Sequence, residues 1–302
     1  MARRTEPLPG TSDIFPEEAA QWQFLERTAH DVFSRYGFGE VRTPVFERTD
    51  VFLRSIGDET DIVQKEMYTF EDRGGRSLTL RPEGTAGVMR AIANQGIQQG
   101  DEYRLYYMGP MFRGERPAAG RKRQLHQIGT ECVGKVSPLI DAENIAMLMD
   151  FLLAVGIDEQ SMTLKLNTRG TAADKEPVAN ALRSYFADHV DKMCEDCQRR
   201  LNTNVWRILD CKVETCNTII DGAPDVSTLF CDESRSYFDQ VTASLGRLGV
   251  NFEVDPRLVR GLDYYRHTVF EVLFAGIGAQ NALAGGGRYE ISLPGVSTPV
   301  CG

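Results

Sequence analysis

Residues Tyr103–Val133 read YRLYYMGPMFRGERPAAGRKRQLHQIGTECV. YRLYYMGPMF and RQLHQIGTECV are β-rich runs, and the Pro-Ala-Ala-Gly bend between them predicts one long hairpin. Five cations (Arg113, Arg116, Arg121, Lys122, Arg123) crowd around that bend. The chain as a whole is acidic, with 43 Asp and Glu against 34 Lys and Arg and a formal charge of -9. Such a net charge does not favour polyanions in general. Any polyanion must be met by a local patch, and this hairpin is the place for it.

Outward from the hairpin, the pattern is strands and hairpins with a few helices. Pro16 with two acids, then Trp22, Leu25, Ala29, Val32, Phe33 and Tyr36, has the spacing of an amphipathic helix stopped by Gly37. VRTPVF (Val41–Phe46) reads as a strand interrupted by Pro44, suited to an edge or an interface. MYTF and SLTL flank the polar turn EDRGGR, a second hairpin. Gly84 to Gln95 reads as helix, Ser137-Pro138 opens another that ends at Gly156, and MTLKLN alternates as a strand. Repeated βαβ units are missing from this order, which favours an α+β fold with a largely antiparallel sheet. From about Thr168 to Val250 charges and cysteines increase, and ANALRSYFADHV and SRSYFDQVTASLGRL have helical spacing. The expected organisation is a discontinuous main domain, 1–167 and 251–302, with an inserted, mostly helical subdomain at 168–250.

The class of protein is also bounded. With 302 residues, 42% hydrophobic and 25% charged, the chain is an ordinary globular sequence able to bury a core. MARRTEPLPG lacks the apolar stretch of a secretory signal, and no apolar run approaches the roughly 18 residues of a membrane span. Seven cysteines, an odd number without a signal, argue for reduced thiols and a cytoplasmic location.

Arginines in a loop between strands form a permanently charged fork suited to phosphate oxygens. Glu115 and Glu131 lie among them, and a pure phosphate sink would not put carboxylates there. A site for a triphosphate together with a cationic group, such as an amino acid's ammonium, would. Three more stretches point the same way. LRPEGT (Leu80–Thr85) sits at a strand-to-helix corner, VRGLDYYRHTVFEV (Val259–Val272) carries Arg260 and a tyrosine pair, and ALAGGGRYE lets backbone approach a ligand. Singly each is weak: the cationic cluster alone is a solvated charged loop, a glycine triplet a turn and paired tyrosines core.

Together they resemble one family. From about residue 5 to its end the chain resembles histidyl-tRNA synthetase, a class II aminoacyl-tRNA synthetase. PGTSDI, LRPEGT, the motif 2 hairpin FRGERPAAGRKRQLHQ, RGLDYY and GGGRY occur in that order. The resemblance implies the class II catalytic fold, a mainly antiparallel sheet flanked by helices, and a ligase acting on L-histidine, ATP with Mg²⁺ and histidine tRNA. It implies catalytic roles for Arg113 and Arg260, both at the α-phosphate. Glu115, Arg121 and Leu125 join them around ATP. Histidine falls to Glu83, Thr85, Gln127, Glu131, Tyr264, Tyr265 and Tyr289, and the tRNA acceptor end to Arg116 and Arg123. By valence, the ammonium needs the acceptors of Glu83, Thr85 and Gln127. The imidazole has one donor for Glu131 and one acceptor for Tyr264. A class II homodimer through the first helix and the Pro44 strand is also implied.

The sequence departs from the family pattern in places. Leu125 stands where an adenine-stacking aromatic is usual, and Glu290 where Asp is usual. Gly302 falls where the family's motif 3 would begin, and the expectation is a catalytic region without motif 3 or an anticodon-binding domain. A 302-residue chain of this kind is expected to activate histidine slowly. The competing reading is a non-catalytic, histidine-sensing regulatory subunit of ATP phosphoribosyltransferase.

The cysteines leave two readings open. CEDC (Cys194, Cys197) has the spacing of a metal knuckle, and Cys211 with Cys231 would complete a zinc set. Cys216 is set aside because residues five apart on one helix diverge by about 140°. The alternative is reduced structural thiols. His126 and His267 read as structural.

Overall fold

The computed structural model describes residues 6–56, 60, 62–96, 98, 100–118, 121–260, 265–277, 281–293 and 296–302. Pro16 opens helix α1 (Pro16–Arg35), where its missing N–H costs nothing, and Glu17 and Glu18 face the positive end of the helix dipole. Its Ala29, Val32 and Phe33 are buried. Strands β1 (Gly39–Glu40) and β2 (Phe46–Arg48) and helix α2 (Thr49–Ile56) follow. The predicted Val41–Phe46 strand forms only at its last residue. Pro44 donates nothing to a ladder, and the Thr43 carbonyl accepts from Arg81 Nη1 at 3.0 Å instead of from a strand. Strands β3 (Thr69–Glu71) and β4 (Ser77–Leu80) are the hairpin expected around EDRGGR and pair with β2 in a three-stranded sheet, order β2-β4-β3.

Helix α3 (Thr85–Asn94) leads into the long hairpin, β5 (Tyr103–Phe112) and β6 (Gln124–Val133), paired without a break from Tyr103↔Val133 to Phe112↔Gln124. Helix α4 (Pro138–Ala154) is capped by the Ser137 hydroxyl and leads to β7 (Met162–Thr168). Helices α5 (Ala172–Ala187), α6 (Glu195–Thr203), α7 (Glu214–Asp221) and α8 (Asp232–Arg247) come next, then β8 (Glu253–Val254), β9 (Tyr265–Phe274), β10 (Ala282–Leu293) and β11 (Val296–Cys301). The large sheet has the order β1-β5-β6-β11-β10-β9-β7-β8. It is antiparallel except for its edge pairs, β1 with β5 and β7 with β8. The expected α+β sheet is therefore present.

One packing cluster brings Val32 and Phe33 of α1, Ile145 and Leu152 of α4 and Val241 and Leu245 of α8 together with Leu164, Leu166, Phe270 and Val272 of the sheet. A second cluster packs Val88, Met89 and Ile92 of α3 on Tyr107, Met111, Tyr289 and Val300. Under α4, Asp141 and Arg288 form a buried ion pair with Arg288 Nε at 2.8 Å. Thr268 Oγ1 (2.7 Å) and the Tyr237 hydroxyl (3.0 Å) also donate to Asp141.

The helical region has a core of its own, running from Val178 to Phe230 with Val259 added from the returning chain. Helix α8 is not part of it. Tyr237, Val241 and Leu245 pack with the sheet and α4. Amphipathic spacing marks a helix's apolar face but not which core that face covers. Among the described residues no helix is long and apolar enough to cross a membrane.

Candidate active site

The corner between β4 and α3 is built first. Buried Arg81 ties it down, donating from Nε to the Pro110 carbonyl (2.9 Å) and from Nη1 to Thr43. Glu83 then caps the helix, one carboxylate oxygen accepting from the Thr85 N–H (2.7 Å) and the other from the Ala86 N–H (2.8 Å). Gln127 Oε1 accepts from the Gly84 N–H at 3.2 Å. Thr85 Oγ1 donates to Glu131 Oε1 at 2.7 Å, and the Tyr289 hydroxyl donates to Glu131 Oε2. Tyr265 meets Tyr289 edge to face, centroids 6.1 Å apart. Burial raises the pKa of Glu83, and it pushes Glu131 up to about 7 against the pull of its two hydroxyl donors. Two buried carboxylates bridged by a threonine make a pocket of acceptors, which suits a ligand rich in N–H groups.

The closeness of α3 to the sheet depends on two missing side chains. A Cβ on Gly84 would stand 2.0 Å from the Tyr107 ring, and one on Gly129 2.3 Å from it. The ring fills both spaces.

Next to this pocket the long hairpin opens into a cavity of about 950 Å³. Arg113 Nε donates to the Pro82 carbonyl at 2.9 Å, joining the cationic loop to the Glu83 corner. Glu115 lies between two guanidinium groups, 3.9 Å from Arg113 Nη1 and 3.3 Å from Arg121 Nε. The PGTSDI segment braces the loop from outside, with the Arg123 N–H on the Gly10 carbonyl (2.8 Å) and Lys122 Nζ on Ser12 Oγ (3.2 Å). Arg260 enters from the opposite side, paired with Glu271, and its buried Nε has no hydrogen-bond partner among the described residues. The space beside Gly285 of the glycine run is taken by this guanidinium, 2.7 Å from where a Cβ would be. That glycine makes room for an arginine of the chain itself, where the sequence suggested a ligand.

Arg113, Glu115, Arg121, Leu125, Arg260 and Tyr265 thus line one cavity. Glu83, Thr85, Gln127, Glu131 and Tyr289 meet at the adjoining corner. Tyr264 lies outside the described residues, as do Ala119 and Gly120. Arg116 is exposed at the loop surface, whereas Arg123 Nε is turned onto the Glu115 carbonyl (3.2 Å) and braces the loop. His126 packs on Trp22 and His267 stacks on Tyr237, both away from the cavity. The far wall escaped sequence reasoning. It holds Lys165, paired with Asp255 at 2.7 Å, together with Arg207, Lys212 and Arg257. Lys165 left little signal, since it falls on a polar position of the alternating strand MTLKLN between Leu164 and Leu166.

The zinc set expected from sequence needs correcting. Cys194, Cys197, Cys211 and Cys216 converge, with all sulfurs within 4.8 Å of one another. Cys231 lies apart, its sulfur 3.6 Å from Asp174 Oδ2. The helix argument against Cys216 fails because Cys211 precedes α7 and is not on one helix with Cys216.

An antiparallel sheet whose central hairpin ends in a cationic loop, facing a second arginine across a cavity and adjoining a carboxylate corner, defines the catalytic unit of a class II aminoacyl-tRNA synthetase. Residues 10–296 match the family model for histidyl-tRNA synthetase, and the chain belongs to that family. It is 48% identical over 289 residues to a histidine–tRNA ligase of Maridesulfovibrio salexigens, covering 95% of this chain and 70% of the relative. It is 50% identical over 285 residues to that of a Geobacillus species, covering 93% and 67%. Among solved structures, apo Staphylococcus aureus histidyl-tRNA synthetase superposes with a TM-score of 0.77 at 36% identity, over 99% of this chain and 70% of that one. A Bacillus halodurans protein described as an ATP phosphoribosyltransferase regulatory subunit/histidyl-tRNA synthetase has a TM-score of 0.73 at 20% identity, over 100% of this chain and 82% of that one. That likeness is one of fold.

Proposed function

We propose that this chain is a histidine–tRNA ligase, forming histidyl-adenylate from L-histidine and MgATP and passing the histidyl group to the 3′ end of histidine tRNA. The observation that carries this reading is the buried Glu131, held between the Thr85 and Tyr289 hydroxyls next to a cavity flanked by Arg113 and Arg260. The histidine carboxylate attacks the α-phosphorus of ATP, the bond to the β-phosphate oxygen breaks, and pyrophosphate leaves. Arg113 and Arg260 act on the charge that develops at the α-phosphate. No general base is needed, because the attacking carboxylate is already ionised. The 3′-terminal hydroxyl of the tRNA then attacks the histidyl carbonyl carbon and AMP leaves.

In this reading the ammonium lies by Glu83, Thr85 and Gln127. Glu131 accepts the imidazole N–H, Tyr264 satisfies the other ring nitrogen, and Tyr265 and Tyr289 form walls. Glu115 and Arg121 hold ATP with Leu125 as an apolar platform. Arg116, exposed on the loop, meets the tRNA acceptor end, and Arg123 acts there through its brace on Glu115. Hydrogen-bonding both imidazole nitrogens rejects analogues lacking them by roughly 10⁴–10⁵.

The test is ATP–pyrophosphate exchange with each amino acid in turn, followed across pH. Only histidine is expected to support it. Below its raised pKa of about 7 Glu131 holds a proton, and above it the carboxylate accepts the imidazole N–H. Histidine half-saturation should therefore fall as pH rises from 6 to 8, by more than the titration of free histidine near 6.5 explains. Glu131→Gln should weaken binding and leave only the free ligand's share of that slope. Exchange supported equally by other amino acids would refute the assignment. A histidine-sensing regulatory subunit is the second reading, since a sensor could use the same buried carboxylate corner without ATP chemistry. A sensor has no use for two arginines placed to meet a phosphate, which is why the ligase is favoured.

The protein works as a homodimer in the reducing cytoplasm. All seven cysteines are unpaired thiols, the form such a compartment maintains. The dimer is supported by apolar side chains left exposed on and around α1 and the small sheet, namely Phe15, Phe24, Phe46 and Phe70. Sedimentation at micromolar concentration should give a dimer, and Phe24→Glu with Phe46→Glu should give a monomer. A wild-type monomer would remove the claim.

A further inference from the structure

We propose that Cys194, Cys197, Cys211 and Cys216 bind one zinc ion as four thiolates, and that this ion fixes the wall of the cavity facing the cationic hairpin. The first support is geometric. Four sulfurs around one zinc at about 2.3 Å form a tetrahedron with edges of about 3.8 Å. Here the Cys194 and Cys211 sulfurs are 3.8 Å apart, and all four lie within 4.8 Å of one another. An iron–sulfur cluster needs its cysteine sulfurs much farther apart, so the set fits a single ion.

The arrangement in the chain is the second support. Cys194-x₂-Cys197 spans the N-cap and first turn of α6, and Cys211-x₄-Cys216 runs from a loop into α7. Both intervals are knuckle spacings for tetrahedral zinc. The Cys194 N–H donates to the Cys216 sulfur at 3.2 Å, and the Cys197 and Val213 N–H groups bond the Cys194 and Cys211 sulfurs. Such donors stabilise thiolates, the form that binds metal. Cys197 and Cys216 are fully buried and Cys211 nearly so, and none of the four is in a disulfide.

The third support is what the ligands bracket. The helical unit has its own small core, and units of about 60 residues bury little surface by themselves. Between Cys197 and Cys216 lies the segment whose Arg207, Leu209, Asp210, Cys211 and Lys212 line the cavity. A zinc ion that ties the two ends of that segment together holds Arg207 and Lys212 at a set distance from Arg113 and Arg121. Cys231, bonded to Asp174, has no part in it.

Metal analysis of the chain purified without chelator should give one zinc per chain, and cobalt substitution should give the intense visible bands and thiolate-to-cobalt charge transfer of a four-thiolate site. Cys231→Ser should keep the zinc and the cobalt spectrum. Cys216→Ser should lose most of the zinc or change the cobalt spectrum to that of three thiolates. Should Cys216→Ser fail to fold, the wild-type cobalt spectrum and a chelator series decide. Chelation should lower the melting midpoint and expose the 194–216 region to protease before the sheet. Zinc well below one per chain, stoichiometric iron, a disulfide among the four, or zinc lost in Cys231→Ser would each overturn the proposal. None of these readings depends on histidine activation, so the metal site and the ligase assignment stand or fall separately.

Discussion

Arg113→Ala is expected to slow histidine-dependent pyrophosphate exchange by roughly 10²–10³-fold, the usual effect of removing one preorganised donor to charge that grows in a transition state. Arg113 is suited to that part because it is held before any ligand arrives. Its Nε is used on the Pro82 carbonyl, while its Nη1 lies on the cavity side, 3.9 Å from Glu115. Lysine should recover little, since one ammonium cannot hold the Pro82 carbonyl and present a second donor together. The same bond braces the Glu83 corner, so a structural explanation has to be separated from a catalytic one. Calorimetry does so. Histidine affinity should stay within a few-fold if the loss is catalytic, and fall in parallel with exchange if the corner has collapsed. A decrease in exchange of less than tenfold would take Arg113 out of the reaction.

Asp141→Ala should cost about 3–5 kcal/mol of stability, the range for removing one partner of a buried ion pair and leaving the other charge alone. Arg288 is 2% exposed and Asp141 0%. Without Asp141, the guanidinium keeps only the Lys135 carbonyl at 2.9 Å as a close partner, and the Tyr237 and Thr268 hydroxyls lose the acceptor they share. A double variant, Asp141→Leu with Arg288→Met, should recover much of the loss because apolar packing replaces both charges. Denaturant midpoints measure both effects. A loss below about 1 kcal/mol in Asp141→Ala would mean that water reaches the pair, contrary to its burial.

Local chemistry made much of this fold legible. The hairpin of β5 and β6 follows from two β-rich runs and a bend, the start of α1 from Pro16 and its acids, and β3 and β4 from EDRGGR. The cationic loop stood out because its charge opposes that of the chain, and Glu83, Glu131 and Arg260 could be named from motifs. Three things were hidden because they depend on non-local packing. The first is which core α8 joins, since its apolar stripe would suit either. The second is the far wall, where Lys165, Arg207 and Lys212 come from separate elements. The third is the cysteine set, where ruling out Cys216 assumed a continuous helix that begins only at Glu214. Glu83 is a partial case. It was named as an ammonium acceptor, but its oxygens are already used to cap α3.

The ring of Tyr107 serves as a spacer gauge. It is clasped between Gly84 on the helix corner and Gly129 on the sheet, so the thickness of one aromatic ring sets how low the start of α3 rides over β6. That height decides whether the Thr85 hydroxyl reaches Glu131, the 2.7 Å bond on which the buried carboxylate's environment rests. A methyl group at either glycine would act as a shim under one end of the helix. The tolerance of the carboxylate corner is therefore set at two positions that present no side chain to it.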